Sequence, residues 1–306
     1  ASGQSIRYSS FQNLGSFRRT TWDADGNLLA TAFPARTVTS GAAFAPSFVT
    51  KMSLNNIDPT RLIIQGSNSV YESLDQGNTM AEVGAGLGSS DITQNAIAYG
   101  GRKGGIDNAD VLWAASGSNV AFRSGAGALG LVPTDPTAQT IRDLAIDPED
   151  WSSAFIVDPD QVFSTSDEGN TWSDITGNLL SFATQIWSIV VVPGVKDFLV
   201  AGTNQGIYAS LVNGIGTWTP LAPNFPNVLV YDLEYDPTDD VLVAGTLGRG
   251  AWKLDEASSI AQALDATPPQ IANVLAYSTD WSAGFIDALD GGGSGSGNGI
   301  GLELTA

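Results

Sequence analysis

The amino-acid sequence predicts an all-β fold in which six copies of a four-stranded unit form a six-bladed β-propeller. Three observations carry this prediction. The 35 glycines and 14 prolines among 306 residues suit many short strands joined by tight turns. Apolar, β-branched segments such as LIIQG, FLVAG and VLVAG are bounded by turn residues. A pattern of strand, Asp-Pro turn and strand recurs at intervals of roughly 35 to 47 residues, the length of one blade.

The clearest copies of the repeat begin at Leu54 and Leu144. Each reads as an apolar strand, an Asp-Pro turn, a second apolar strand and a Ser/Thr-x-Asp-x-Gly-x-Thr segment. Shorter copies begin at Ile189 and Leu233, and a weaker copy with an insertion in its first turn begins at Ile97. The first two strands of a sixth copy begin at Thr20. The first turns fall near Trp22, Ile57, Tyr99, Ile146, Val192 and Tyr235. These copies predict the six blades.

The two ends of the repeat region predict how the ring closes. The N-terminal segment IRYSSFQNL is similar to the outer-strand segment TWSDITGNL, and the last copy stops after GAWKLD without an outer strand. We therefore expect the N-terminal strand, residues 5–12, to supply the fourth strand of the last blade, which would leave no exposed edge. Residues 33–50 mark the outer strands of the first blade poorly, so seven blades remain an alternative.

The chain divides into two parts by composition. Residues 1–254 contain the repeats and are predicted to form the propeller. Residues 255–306 contain a Pro-marked stretch, one strand followed by a helix, and the Gly/Ser-rich segment GGGSGSGNGIG, which is typical of a flexible linker. So short a segment cannot bury a core alone. We expect it to be a linker and the truncated start of a following module, with further domains after residue 306.

Charge and composition exclude several classes of function. The chain has 32 acidic and 13 basic residues, a net charge of −19, so its surface repels phosphate and we expect no nucleic-acid partner. The absence of cysteine and histidine excludes disulfides, thiolate metal sites and Ser-His-Asp chemistry. No apolar run has the roughly 18 residues of a transmembrane helix. The low lysine content and the richness in Gly, Ser, Thr, Asp and Asn are typical of bacterial extracellular proteins, so we predict a secreted or cell-surface location.

One motif carries a resemblance to a known family. Thr165, Asp167, Gly169, Thr171 and Trp172 match the pattern Ser/Thr-x-Asp-x-Gly-x-Thr-Trp. A second copy lacks only the final aromatic residue and consists of Ser73, Asp75, Gly77, Thr79 and Met80. The sequence thereby resembles the Asp-box, or bacterial neuraminidase repeat, propellers, which include sialidases, sortilin-type receptors and xyloglucan-hydrolysing propellers. The resemblance implies a propeller over roughly residues 5–254 but does not imply one activity, because many functions share this fold.

An acid beside a tryptophan could be a sugar-binding or catalytic constellation, or it could stabilise a turn. The Asp side chain can accept backbone N–H bonds, the Gly can adopt positive φ, and the Trp can pack against its own hairpin. The resemblance implies that these boxes lie between the third and fourth strands, away from the axis. We therefore predict a structural role for both boxes.

The candidate ligand site is the mouth of the propeller axis. Loops that enter each innermost strand place Lys51, Arg142, Trp187 and Tyr231 there, and a turn between second and third strands adds Arg249. Aromatic faces stack on sugar rings, and Arg reads hydroxyls or carboxylates. We expect a non-catalytic recognition or scaffold propeller of a larger protein, with a protein or glycan ligand at this axial face.

Other functions stay open. A glycoside hydrolase could use the carboxylates of Asp143 and Asp232, which occupy equivalent positions in two blades. The sequence favours a non-enzymatic role and leaves this catalytic role as an alternative. A structural module of a surface layer or filament is a further alternative.

The DADGN segment at Asp23 is similar to the start of a calcium loop but lacks its later ligands, so it predicts a plain turn. We expect no metal and no cofactor, with calcium as the one alternative.

Overall fold

The computed structural model describes residues 3–194, 196–212, 216–221, 225–260 and the backbone of 274–277. Nearly all regular structure in these residues is β, and the strands form six sheets that follow one another as the six blades of a β-propeller. The predicted fold class and blade number are thus confirmed. No helix in the described ranges has the length and apolar character that crossing a bilayer requires.

The first two sheets contain eight strands between them. Sheet 1 consists of β1 (Ser5–Phe11), β2 (Gly15–Trp22) and β3 (Leu28–Ala32). Sheet 2 consists of β4 (Thr37–Ser40), β5 (Lys51–Leu54), β6 (Leu62–Gln65), β7 (Ser69–Ser73) and β8 (Thr79–Ala85). Strand β4 pairs parallel with β8 and extends the outer edge of sheet 2, which explains why its surroundings did not look like the outer strands of a first blade.

The remaining four sheets each have four strands in chain order. Sheet 3 consists of β9 (Ile97–Lys103), β10 (Ile106–Ser116), β11 (Asn119–Arg123) and β12 (Gly130–Leu131). Sheet 4 consists of β13 (Asp143–Ile146), β14 (Ala154–Val157), β15 (Val162–Thr165) and β16 (Ser173–Asp174). Sheet 5 consists of β17 (Ile186–Val192), β18 (Phe198–Thr203), β19 (Gly206–Leu211) and β20 (Thr219–Pro220).

Sheet 6 completes the series. It consists of β21 (Val230–Asp236), β22 (Val241–Thr246), β23 (Gly250–Asp255) and β24 (Val274–Tyr277). Three short 3-10 helices lie between strands in the described residues, at Gln12–Leu14, Leu179–Ser181 and Ala257–Ser259.

The hydrophobic core lies between successive sheets. Five apolar clusters each join one sheet to the next along the chain. Alternate side chains of one strand serve two clusters: Leu62 and Ile64 face sheet 1, whereas Ile63 between them faces sheet 3. Because both faces of these strands are buried, the strands read as continuous apolar runs rather than as alternating patterns. Burial on both faces therefore explains segments such as LIIQG.

The predicted ring closure by the N-terminal strand is wrong. Strand β1 pairs antiparallel with β2, with Ile6 opposite Thr21 and Tyr8 opposite Arg19. The turn between them is tight, and Asn13 in it has a φ of 58°. Buried side chains from both strands and the turn then pack on sheet 2; they are Tyr8, Leu14 and Phe17. Strand β1 therefore pairs with β2, its neighbour in sequence, and not with the last blade, which is distant in the chain.

The fourth strand of sheet 6 comes from the C-terminal part of the chain. The backbone of β24 pairs antiparallel with β23, with Ala251 opposite Tyr277 and Leu254 opposite Val274. The strand predicted there exists, but it was expected in a linker and not in a blade. The rest of residues 261–306 lies outside the described residues, so the division at residue 254 and the following module stay predictions.

Candidate functional site

Both Asp boxes form the same hydrogen-bonded hairpin between a third and a fourth strand. In sheet 4, Thr171 donates from its N to Oδ1 of Asp167 at 2.9 Å and from Oγ1 to Oδ2 at 2.7 Å. Gly169, at a φ of 82°, donates its N–H to Oγ1 of Thr165 at 3.1 Å. Ser73, Asp75, Gly77 and Thr79 repeat these bonds in sheet 2. This geometry supports the structural interpretation of the boxes.

The aromatic residue of the complete box contacts the neighbouring sheet. Trp172 meets Trp113 of sheet 3 edge to face, with ring centroids 6.3 Å apart. The equivalent Met80 is buried against the side chains of sheet 1. The sequence predicted packing under the same hairpin, whereas the side chain joins two blades. The boxes therefore stabilise the contact between sheets as well as their own turns.

The mouth cluster, which consists of Arg142, Trp187 and Tyr231, brings together three of the predicted ligand residues. The guanidinium carbon of Arg142 lies 3.9 Å from the ring centroid of Trp187. The rings of Trp187 and Tyr231 follow with centroids 5.4 Å apart and an interplanar angle of 31°. The three residues enter from sheets 4, 5 and 6, at the start of each innermost strand. Three blades thus build one continuous cationic and aromatic surface.

The mouth cluster is held by backbone carbonyl groups on both sides. Nη1 of Arg142 donates to the carbonyl of Ile186 at 2.6 Å. The hydroxyl of Tyr231 donates to the carbonyl of Ile92 at 2.6 Å, across the axis on the loop before β9. Tyr231 is nevertheless 40% exposed. The cluster is therefore positioned before any ligand binds, and part of its aromatic surface faces solvent.

Lys51 and Arg249 do not join this cluster by the contacts that the structure describes. Lys51 is buried, and its Nζ donates to the carbonyl of Asp91 at 2.5 Å. Burial lowers the pKa of Lys51 to about 8, although the charge of Asp91 acts in the opposite direction. Lys51 thus supports the loop that carries Ile92. Arg249 is exposed in the turn between β22 and β23, at the same end of the propeller.

Acidic residues surround the one guanidinium of the mouth cluster. Burial lowers the pKa of Arg142, and the charges of Asp158, Asp91 and Asp160 raise it in part. Asp158 is itself buried, and Thr137 donates a hydrogen bond to it at 2.6 Å. The cation of the mouth therefore sits in an acidic environment, which opposes strongly anionic ligands.

Exposed apolar side chains that were not among the predicted site residues lie around the mouth. Ile92 is 53% and Leu247 67% exposed, on loops at the mouth end. Phe182, in the loop that enters β17, stacks on Tyr208 with centroids 5.2 Å apart and remains partly exposed. The antiparallel order of each blade brings these loops to one end. The sequence offered one signal for these residues, which is that each is an apolar residue in a loop predicted to lie at the mouth.

The axial carboxylates include both residues proposed for hydrolysis. Asp143 is buried, and it accepts the N–H groups of Ile189 and Leu144, each at 2.8 Å. Burial raises the pKa of Asp143 well above its ordinary value, and the charge of Asp232 raises it further. Burial also raises the pKa of Asp232. The charge of Asp232 thus acts on Asp143, whose own carboxylate joins β13 to β17 through its hydrogen bonds.

We expect Asp143→Asn to flatten the decrease in stability that the wild type shows as the pH rises above the ordinary aspartate pKa of 3.8. A carboxyl with a raised pKa holds its proton more tightly in the folded state, so ionisation costs stability as pH rises. The neutral amide removes this cost. Melting temperatures measured over this rise in pH test the slope, with the exposed Asp135→Asn as control. An unchanged slope in Asp143→Asn would contradict the burial of an ionisable carboxyl.

The calcium-like segment at Asp23 forms a turn. Oδ1 of Asp23 accepts the N–H groups of Asp25 at 3.0 Å and Asn27 at 2.8 Å. The hydrogen bonds from Asn27 lower the pKa of Asp23. Three or more acidic side chains grouped as a metal site do not occur in the described residues. The expectation of no metal and no cofactor stays a prediction.

Comparison with known proteins identifies the fold. No family model matches the sequence, and no curated protein matches it. An ancestral GH74 enzyme is similar in structure with a TM-score of 0.58 and 13% identity, over 81% of this chain and 34% of that chain. The GH74 xyloglucanase of Xanthomonas campestris has a TM-score of 0.52 and 16% identity, over 71% of this chain and 37% of that one.

A third structure is similar over nearly its whole length. Virginiamycin B lyase from Staphylococcus aureus has a TM-score of 0.53 and 10% identity, over 83% of this chain and 82% of that chain. At such identities the likeness shows a shared β-propeller fold and no more. The chain spans about a third of the length of the GH74 structures. The class is therefore a β-propeller module, and the Asp-box family remains a resemblance of motifs.

Proposed function

We propose that this propeller is a non-catalytic recognition module of a larger secreted or cell-surface protein and binds a protein or glycan ligand at its mouth. The observation that carries the proposal is the mouth cluster, in which a guanidinium, an indole and a phenol from three blades form one partly exposed surface. Binding sites commonly combine a mostly apolar surface with a few fixed polar groups. The carbonyl contacts of Arg142 and Tyr231 supply that fixation.

The chemistry of the mouth suits two kinds of ligand. The faces of Trp187 and Tyr231 can stack on a neutral sugar ring or on an aromatic side chain, and Arg142 can donate hydrogen bonds to either ligand. The exposed Ile92, Phe182 and Leu247 favour a protein partner, because apolar and aromatic residues with Arg are enriched in the centres of protein interfaces. Acidic neighbours of Arg142 disfavour a polyanion.

We expect Trp187→Ala to reduce binding at least about tenfold, since it removes the centre of the cluster and leaves Arg142 without its ring. The measurement is retention of the labelled 1–306 chain on a glycan array and on a random-peptide display library. Trp22→Ala is the matched control, because Arg7 lies over Trp22 at 4.9 Å on sheet 1, away from the mouth. Equal retention by wild type and Trp187→Ala, or loss in both variants, contradicts the proposal.

A glycoside hydrolase is the second candidate, because the axial carboxylates Asp143 and Asp232 both have raised pKa values and the charge of Asp232 acts on Asp143. A raised pKa is what a general acid needs. GH74 enzymes, one described as a xyloglucanase, share the fold, so xyloglucan is the substrate to test. Release of reducing sugar that Asp232→Asn abolishes, with folding retained, would support catalysis. Absence of release from wild-type protein would contradict xyloglucan hydrolysis by this chain.

The remaining expectations follow from this proposal. We propose an extracellular location, which the low lysine content and the richness in Gly, Ser, Thr, Asp and Asn support. The third alternative, a structural module of a surface layer or filament, predicts association of propellers without a separate ligand. Wild-type protein that forms extended polymers and binds neither glycans nor peptides would favour that alternative. We propose no nucleic-acid partner, because the net charge of −19 opposes one.

A further inference from the structure

Carboxylates act on both ends of the mouth cluster. The charges of Asp158, Asp91 and Asp160 act on the guanidinium of Arg142 and oppose the lowering of its pKa by burial. These carboxylates come from the loop before β9 and from the turn between β14 and β15. Burial raises the pKa of Tyr231, and neighbouring carboxylates raise it further. The aromatic surface of the mouth therefore lies in a negative potential, which attracts a cationic ligand.

Two of these carboxylates each have an oxygen that no group of the described chain occupies. Oδ1 of Asp91 accepts hydrogen bonds from N and Oγ1 of Thr93 at 2.8 and 2.7 Å. Oδ1 of Asp160 accepts one from Nε2 of Gln139 at 2.6 Å. No hydrogen bond to Oδ2 and no ion pair of either residue occurs in the described ranges, and both residues are at least partly exposed. Each Oδ2 can therefore accept from a ligand.

The cations of the mouth do not cancel this potential. Arg142 is held by a ring and a carbonyl group of the chain itself, and Lys51 is buried with its Nζ on the carbonyl of Asp91. Burial opposes ionisation of Asp91, but hydrogen bonds from Thr93 and the charges of Lys51 and Arg142 outweigh it and lower its pKa. Asp91 therefore stays ionised at neutral pH. Arg249 is the exposed cation of the predicted mouth residues.

We propose that the mouth recognises a protein segment that carries an arginine or lysine next to an apolar side chain. The cation pairs with Asp91 and lies over the exposed part of the Tyr231 ring. Carboxylate and ring lie close together, because the hydroxyl of Tyr231 donates to the carbonyl of Ile92, the residue after Asp91. Asp160 adds to the attraction, and the apolar side chain packs on the exposed Ile92 and Leu247. This inference rests on the proposed function, because it names the ligand class of the same site.

The charge of the mouth favours such a segment over a glycan. A neutral sugar ring can stack on Trp187 and Tyr231 but gains little from the carboxylates. A sulfated or sialylated glycan carries negative charge and is repelled by them and by the net charge of −19. A basic and apolar protein segment uses the aromatic rings, the carboxylates and the exposed aliphatic side chains together.

A random-peptide display library selected on the full chain tests the charge of the ligand. We expect the retained peptides to be enriched in arginine and lysine beside apolar residues, relative to the unselected library. A retained peptide is then synthesised with citrulline in place of arginine, which keeps the shape and removes the charge, or with acetyl-lysine in place of lysine. The neutral analogue should bind at least about tenfold more weakly than its parent. Binding of the parent should weaken as salt concentration rises.

Two double variants of equal net charge separate the mouth from the overall charge of the chain. Asp91→Asn with Asp160→Asn removes two carboxylates at the mouth and keeps an acceptor oxygen for Thr93. Glu149→Gln with Asp239→Asn removes two exposed carboxylates from turns at the opposite end. The mouth variant should bind the cationic peptide about tenfold more weakly than wild type, and the control variant should change by less than about twofold. Melting temperatures establish that both variants are folded.

The outcomes separate this inference from the proposed function. Retained peptides without an excess of basic residues, or a neutral analogue that binds as well as its parent, overturn the inference and leave a recognition site at the mouth. Equal weakening in the two double variants overturns it as well, because the overall charge of the chain would then be responsible. Retention of glycans alone also overturns it. A chain that retains neither peptides nor glycans contradicts the proposed function itself.

Discussion

Glu72→Ala is expected to lower the free energy of unfolding by about 3–5 kcal/mol, because it leaves two buried arginines without their shared partner. Nη2 of Arg61 lies 2.8 Å and Nη2 of Arg123 2.5 Å from Oε1 of Glu72, and both arginine side chains are at most 12% exposed. The hydroxyl of Tyr99 donates to the same oxygen. These residues come from sheets 2 and 3, so their loss weakens the contact between two blades. Urea denaturation measures the change.

An exposed ion pair provides the control for Glu72→Ala. Arg102 and Asp107 lie 2.7 Å apart, but their side chains are 43% and 47% exposed. Asp107→Ala should therefore change the unfolding free energy by less than about 1 kcal/mol. Equal decreases in the free energy of unfolding of Glu72→Ala and Asp107→Ala would contradict a larger contribution from the buried ion pairs.

The same network predicts how acid acts on stability. Burial opposes ionisation of Glu72, but hydrogen bonds from Tyr99 and Arg61 and the charge of Arg123 outweigh it and lower its pKa. A lowered folded-state pKa gives stability that is present above the ordinary value of 4.5 and is lost as pH falls through the folded-state pKa. Wild-type stability should fall below about pH 4.5, and Glu72→Gln should show a smaller fall.

Trp113→Ala is expected to cost about 3–5 kcal/mol, the range for removal of a large buried aromatic side chain. The Trp113 side chain is fully buried, and its Nε1 donates to the carbonyl of Trp151 at 3.2 Å. Its ring lies 4.4 Å from that of Phe122 and meets Trp172 of the Asp box. The cavity would therefore disrupt the contact between sheets 3 and 4, where Trp151 and Trp172 also pack.

Trp113→Phe separates the cavity from the hydrogen bond. Phenylalanine retains much of the ring volume and loses the bond to Trp151, so the loss should be clearly smaller than that of Trp113→Ala. Thermal and urea unfolding measured on both variants should give the same order. A Trp113→Ala protein as stable as wild type would contradict the assignment of this cluster to the core.

The architecture could be predicted because its causes are local in the sequence. Each blade is built from apolar runs separated by turn residues, so strands pair with their immediate neighbours in the chain. The number of repeat copies therefore gives the number of sheets. Ring closure could not be predicted in this way. The sequence pattern around Tyr8 is that of an outer strand, and this pattern does not specify the blade to which the strand belongs. The packing of Leu14 and Phe17 on sheet 2 determines that the strand belongs to sheet 1.

The mouth could be predicted in part for the same reason. Arg142, Trp187 and Tyr231 each begin an innermost strand, so blade topology alone brings them to one end. Lys51 is buried because the loop that carries Asp91 passes over it. The repeat pattern of the sequence does not predict the path of that loop. Exposed residues such as Ile92 are apolar and look like core residues until the loop is placed.

The location of a bound ligand tests the central claim most directly. Protein labelled with 5-fluorotryptophan contains 8 tryptophans, and Trp187→Phe and Trp22→Phe assign the two signals of interest. The probe is the glycan or peptide that the wild-type chain retains most strongly in the screens. We predict that ¹⁹F resonances recorded during titration show a saturable shift for Trp187 and none for Trp22. A saturable shift elsewhere with Trp187 unmoved, or no retained probe in either screen, would contradict a recognition site at the mouth.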